Sequence, residues 1–257
     1  MKKMPFFFIQ MSDPQFGMLP MNGDIFQEIQ LFEKALAHIN RLSPAFVIST
    51  GDFINDPGNE KQLVTALKIK QKLKNNIPFY MIPGNHDIGD APTEQSLDWY
   101  RKNIGADWCS FDYGNSHFIG LNSCIIVDDR NAMNEAQKQW QWLNLDLQRA
   151  SAKNIIIFVH HPFFLKNDDE QDDYWNIPKK TRHVYMDLFH KYNIKKIFAG
   201  HLHQNNLAAN SPIEVITTAA VGMPLGSAFS GFRIVKVCDD QISHKYFGLD
   251  EIPNCDF

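Results

Sequence analysis

Five short, largely apolar runs in this chain each stop at side chains that bind metals or move protons. They are Phe6–Met11 before Ser12-Asp13-Pro14-Gln15, Ala45–Thr50 before Gly51-Asp52, Ile77–Ile82 before Pro83-Gly84-Asn85-His86-Asp87, Asn154–Val159 before His160-His161, and Ile194–Ala199 before Gly200-His201-Leu202-His203. Runs of this length bounded by glycine or proline read as buried strands. One such exit is an ordinary turn, since Gly-Asp is a common turn pair and His-x-His at a strand end is often incidental. Five in one chain are hard to explain as turns. Carboxylate, amide oxygen and imidazole together suit hard or borderline cations, and the glycines let the backbone bend so that different strands can converge.

Between the runs the pattern changes period. Asp24 to Leu42 carries Ile25, Ile29, Phe32, Leu36 and Ile39 at helical spacing, the mark of an amphipathic helix. Glu60 to Lys74 reads as a second helix, and a short one is expected from Thr93 to Lys102. Ser110 to Leu121 alternates about Tyr113-Gly114-Asn115-Ser116, which predicts a hairpin. Asn134 with Gln137 reads as a capping box opening a helix to about Arg149, with Trp140 and Trp142 as core anchors. A polar loop from Lys166 to Asn176 precedes a helix from about Pro178 to Tyr192. Strand-like segments follow at Ile213–Ala219, Phe232–Cys238 and Ile242–Phe247. Strand–helix alternation with a β-rich tail predicts an α/β protein, its parallel or mixed sheets covered by helices. No repeat or linker interrupts it, so residues 1–257 are read as one domain.

With 257 residues, 20 of them Phe and 5 Trp, the chain can bury a large core without disulfides. Its net charge of −4 and lack of a basic patch argue against nonspecific nucleic-acid or membrane-surface binding as the main role, and no specific nucleic-acid partner is expected. Cys109, Cys124, Cys238 and Cys255 show no CxxC spacing and fit a reduced compartment. The N-terminal apolar run is too short for a signal peptide and no segment has spanning length. The expectation is a soluble, cytoplasmic protein, monomeric or weakly oligomeric, unless a leader once preceded it.

The order of the five exits resembles the calcineurin-like metallophosphoesterases, whose pattern is D-x-H, G-D, G-N-H-D/E, a histidine, then G-H-x-H. The resemblance extends from Asp13 to His203 and implies a four-layer α/β/β/α sandwich of two mixed β-sheets. It also implies two divalent or trivalent ions (iron, manganese or zinc) and a phosphate-ester substrate. Carried over, Asp13, Gln15, Asp52 and His203 would hold one ion, and Asp52, Asn85, His160 and His201 the other. Asp52 would bridge two cations about 3.5–4 Å apart, and a hydroxide shared between them would attack phosphorus. His86 would protonate the leaving oxygen. His161 is expected to point away from His160 by strand alternation, in a structural role.

The pattern departs from the family in places. Gln15 stands where histidine is usual, and a neutral amide oxygen is a poorer donor to iron or zinc than imidazole. Weaker binding, or contact through water, follows at that position. Ser12–Gly17 and Asp172–Pro178 resemble one subgroup, the calcineurin-like phosphoesterase domain-containing protein 1 group, which implies serine/threonine phosphatase activity and so a phosphomonoester. The major Ser/Thr phosphatases have G-D-x-x-D-R-G where this chain has Phe53-Ile54-Asn55-Asp56 after Gly51-Asp52, so their arginine clamp is absent. Asp56 or Asp87 is left to orient His86. Asn55, Tyr174 and Asn176 are the substrate-facing candidates, with Trp175 as apt for packing. The acidic run Lys166–Asp173 reads as a solvated loop; as a lid it would suit a substrate with a cationic portion, such as a basic phosphopeptide. The rival readings are a phosphodiesterase acting on cyclic nucleotides or related diesters, and a non-catalytic scaffold.

Overall fold

Alternation along the strands separates the chain into layers. A computed structural model describes residues 4–19 and 25–253; the predicted helix start at Asp24 and Cys255 lie outside these. In chain order the first sheet-and-helix segment is β1 (Phe6–Met11), α1 (Phe26–Leu42), β2 (Val47–Thr50), α2 (Glu60–Lys70), β3 (Phe79–Ile82), α3 (Asn85–Ile88) and α4 (Glu94–Asn103). The second is β4 (Cys109–Tyr113), β5 (Ser116–Gly120), α5 (Cys124–Val127), α6 (Met133–Arg149), β6 (Asn154–Phe158), α7 (Lys179–Lys191) and β7 (Lys196–Ala199). The tail is β8 (Asn206–Asn210), β9 (Ile213–Thr217), β10 (Gly231–Cys238) and β11 (Gln241–Gly248).

Two mixed sheets result, in the orders β11-β10-β1-β2-β3 and β4-β5-β6-β7-β9-β8. β1, β2 and β3 run parallel, as do β5, β6, β7 and β9, while β10, β11, β4 and β8 pair antiparallel. Successive side chains of one strand enter different cores. Phe8, Ile156 and Phe158 pack between the sheets, whereas Ile9 packs with Phe32 and Leu36 of α1 and Ile157 with Leu143 of α6 and Phe189 of α7. The layers are therefore α/β/β/α, as expected. The inter-sheet layer is aromatic: Phe8 stacks on Phe46 at 4.8 Å and meets Phe118 and Phe158 edge-on at 5.5 and 5.8 Å. Truncating a buried Phe of this kind costs about 3–5 kcal/mol.

Several boundaries differ from the sequence expectation. α2 stops at Lys70, where Lys72 and Leu73 N–H groups bond back only three residues and tighten the chain out of the helix. α6 opens at Met133 without a side-chain cap; a turn from Asp129 to Ala132 leads into it, leaving Asn134 inside the first turn. The residues after Gly84 form a helical turn, α3, where a polar loop was expected. Trp140 and Trp142 are half-buried against the outer core of the second sheet. No helix among the described residues is long and apolar enough to cross a membrane.

Candidate metal centre

The parallel strands bring all five polar exits to one edge of the sandwich. Gln10, one residue before the end of β1, crosses between sheets with Nε2 donating to Ala199 O of β7 at 3.2 Å. Asp13 N donates to Gly51 O at 3.1 Å, and Gly200 N to His160 O at 3.0 Å. Asp13, Gln15, Asp52, His201 and His203 all have positive φ, between 39° and 71°. Non-glycine residues there cost about 1–3 kcal/mol each and persist only where their surroundings hold them. Gly84 and Gly200 are needed for close approach. A Cβ on Gly84 would lie 2.1 Å from Asp52 Oδ1, and one on Gly200 1.8 Å from Ser12 Oγ.

The donors fall into two contiguous groups. His160 Nε2 lies 3.0 Å from Asn85 Oδ1, 3.2 Å from Asp52 Oδ2 and 3.2 Å from His201 Nδ1. Ligand atoms of Asp13, Asp52 and His203 lie within 4.8 Å of one another. The outer atoms of these side chains are already engaged. Thr50 O accepts from His160 Nδ1 at 2.8 Å, Tyr174 O from His201 Nε2 at 3.1 Å, and Met223 O from His203 Nδ1. Each imidazole thus spends its outer N–H on a backbone carbonyl and turns its other nitrogen inward, the arrangement of metal-binding histidines. The amides behave alike. Asn85 Nδ2 donates to Asp90 Oδ1 at 2.9 Å and Tyr174 Oη at 3.1 Å, leaving Oδ1 for His160. Gln15 Nε2 donates to Asn55 Oδ1 at 3.1 Å, and its buried Oε1 has no hydrogen-bond partner among the described residues. A buried acceptor without a partner is costly, and a cation would satisfy it. The residues fit a metal centre.

Charge within the cluster is arranged in pairs. Burial pushes the Asp52 carboxyl up, but contact with His160 outweighs it and holds the group below the carboxylate range. Burial opposes the charged form of His160 as well; Asp52 and then Asp13 outweigh it and raise the imidazole above its usual value. Burial raises Asp13, partly offset by His203 and His160. His201 is pushed down to about 3 by burial and then by the charge of His160.

His86 is oriented by neither of the carboxylates proposed for it. Its Nδ1 donates to the backbone carbonyl of Asn55 at 2.8 Å. Asp87 instead accepts from the N–H groups of Phe53, Ile54 and Gly84, and Asp56 from Gln62 and Asn55. His161 also departs from expectation: one of its nitrogens lies within 4.8 Å of ligand atoms of His160 and His201. β6 has ended at Phe158, so two-residue alternation no longer governs its direction. Ser123 Oγ accepts from His160 N and His161 N at 3.1 and 2.9 Å, so its proton is left for His161 Nδ1 at 3.0 Å. Ser123 was missed, although Leu121-Asn122-Ser123 repeats the strand-exit pattern after β5.

The acidic loop proves to be tied down, partly within itself and partly to α7. Glu170 accepts from Leu165 N and Lys166 N, Asp169 pairs with Lys179, and Asp172 accepts from Lys179 N. Fully buried Arg182 donates to the carbonyls of Asp168, Glu170 and Ile177. Asn176, expected among the substrate-facing residues, is 2% exposed and spends its amide on Asp173 N, Glu170 and Gln171; it shapes the loop. Tyr174 and Trp175 are exposed, their rings 5.0 and 5.3 Å from that of His201. Asn55 is half-buried between Gln15 and His86.

Residues 8–205 match the calcineurin-like phosphoesterase family. The chain is 34% identical over 266 residues to the serine/threonine-protein phosphatase CPPED1 of Rattus norvegicus, covering 96% of this chain and 85% of the relative. It is 30% identical to a probable glycerophosphodiester phosphodiesterase, GpdQ, of Arcobacter nitrofigilis, over 72% of this chain and 67% of that one. Its fold is shared with a dimetal phosphatase from Danio rerio, with a TM-score of 0.68, 16% identity, and coverage of 96% and 97%. The chain belongs to the calcineurin-like phosphoesterase family and is a metal-dependent phosphoesterase.

Proposed function

We propose that the chain hydrolyses a phosphomonoester at a binuclear centre, one cation held by Asp13, Gln15, Asp52 and His203 and the other by Asp52, Asn85, His160 and His201. The observation that carries this reading is the set of donor atoms turned inward together. Three imidazoles and two amides have their N–H groups tied elsewhere, and two carboxylates complete the cluster. Bound cations supply charge neutralisation at the phosphoryl oxygens and a lowered pKa for water. Asp52 shares its carboxylate between the two groups, and its Oδ1 also accepts from His86 N at 2.9 Å, fixing the start of α3 beside the centre. With Nδ1 anchored on Asn55 O, His86 presents Nε2 to the substrate and passes a proton to the leaving oxygen. Tyr174 Oη, already accepting from Asn85, has its own proton free for a phosphoryl oxygen. The oxygen-rich first position, with Gln15 in place of an imidazole, favours manganese over zinc.

The monoester reading is supported by the phosphatase-named relatives that span nearly the whole chain. A diester reading is favoured by one observation, the similarity to the probable glycerophosphodiester phosphodiesterase. Turnover of an aryl phosphate against its bis-aryl diester, with manganese, iron or zinc supplied, separates the two. Faster monoester hydrolysis is expected; a strong diester preference would overturn the first reading.

A further inference from the structure

A cleft of about 470 Å³ opens beside the histidines. One wall is Leu165, Lys166 and Trp175, and the other includes Leu202, Gln204 and Leu225. Both walls start at the cluster. Leu202 lies between His201 and His203, Leu225 N donates to His203 O at 2.8 Å, and the Trp175 ring is 5.3 Å from that of His201. Asn206 Nδ2 donates to Leu165 O at 3.0 Å and ties one wall to the other. Asn205 Oδ1 accepts from Arg233 Nη2 at 2.8 Å. The cleft is therefore braced before any ligand arrives.

Its charge is one-sided. Among the described residues none of the lining side chains is acidic, and Lys166 stands exposed on one wall. Arg233, 6% exposed, bonds only neutral groups among the described residues: Thr218, Thr217 O, Asn205 and His244. Of the acids on the adjoining loop, Glu170 accepts from loop N–H groups, and Asp169 and Asp172 are engaged by Lys179 at the start of α7.

We propose that this cleft is the leaving-group subsite, and that it selects phosphoesters whose alcohol carries a flat, apolar, uncharged group lying against Trp175. The inference rests on the phosphoester reading above. An aromatic ring between Trp175 and the leucines leaves water on both faces, while an ammonium in the same place meets the field of Arg233 and Lys166.

Binding of non-hydrolysable phosphonates to the manganese-loaded protein tests it by calorimetry. 3-Phenylpropylphosphonate should bind about tenfold tighter than propylphosphonate, and 3-aminopropylphosphonate more weakly than propylphosphonate. The phenylpropyl-to-propyl ratio should fall to near one in Trp175→Ala and be largely kept in Trp175→Phe; using the ratio cancels any general loosening of the site. Equal binding of the phenylpropyl and propyl compounds, or a ratio untouched by Trp175→Ala, would overturn the subsite. Tightest binding of the aminopropyl compound would overturn its charge preference in favour of a cationic substrate. Failure of all three to bind, with metal in place, would overturn the phosphoester reading and the subsite with it.

Discussion

Gly84→Ala places one methyl group against the carboxylate on which the binuclear proposal depends. Gly84 has φ −106° and ψ 179°, a conformation open to alanine, so no backbone strain is added. The new Cβ would stand 2.1 Å from Asp52 Oδ1 and 2.5 Å from Asp52 N, whereas ordinary contact begins at 3.4 Å. The carboxylate must therefore yield by about 1.3 Å, the shortfall at Oδ1. Metal–ligand distances tolerate about 0.2 Å, and a misplacement of about 1 Å costs on the order of 10² in rate. Overpacking adds about 1–3 kcal/mol of destabilisation, or roughly 2–4 °C of Tm per kcal/mol for a chain of this size. The variant should fold, lose at least one equivalent of metal and lose about a hundredfold in kcat/KM on an aryl phosphate. Metal analysis, calorimetric melting and steady-state kinetics read the three effects separately. A lowered Tm with full metal content and undiminished turnover would refute the reasoning, since Asp52 could then move without consequence.

His86→Asn should lower kcat on alkyl phosphates by about 10²–10⁴ and on p-nitrophenyl phosphate by much less, because nitrophenolate leaves without a proton; equal losses on both would contradict proton donation. Gln15→His should raise retention of zinc and iron against manganese during dialysis, and an unchanged preference would mean that Gln15 does not reach the cation. Asp52 keeps the metal-free His160 imidazole protonated above its usual range, against the opposing effect of burial, so cations must displace that proton. Affinity should rise about tenfold per pH unit near neutrality, with about one proton released. Titration calorimetry in two buffers of different ionisation enthalpy measures the release, and identical apparent enthalpies would contradict it.

The strands and the candidate metal-ligating side chains that the structure brings together were legible because both are written locally. Each buried strand is an apolar run, and each ligand-type residue follows one directly. What was not legible depends on pairs far apart in sequence. The carbonyls of Thr50, Tyr174 and Met223 that fix three imidazoles have no signature of their own. Arg182 is a charged side chain that is nevertheless fully buried, because three loop carbonyls converge on it. The same contacts turn an acidic run into a closed loop and take Asn176 inside. His161 was misread for a local reason: two-residue alternation was extended past Phe158, where the strand stops. The orientation of His86 was sought in a carboxylate, whereas a backbone carbonyl supplies it.

The central claim is that Asp52 joins two cation sites in one centre. Anomalous diffraction at the metal edge, on crystals of protein loaded with manganese, tests it most directly. Two peaks per chain about 3.5–4 Å apart, both within coordination distance of Asp52, are expected. A single peak, or two peaks with Asp52 touching only one, would contradict it.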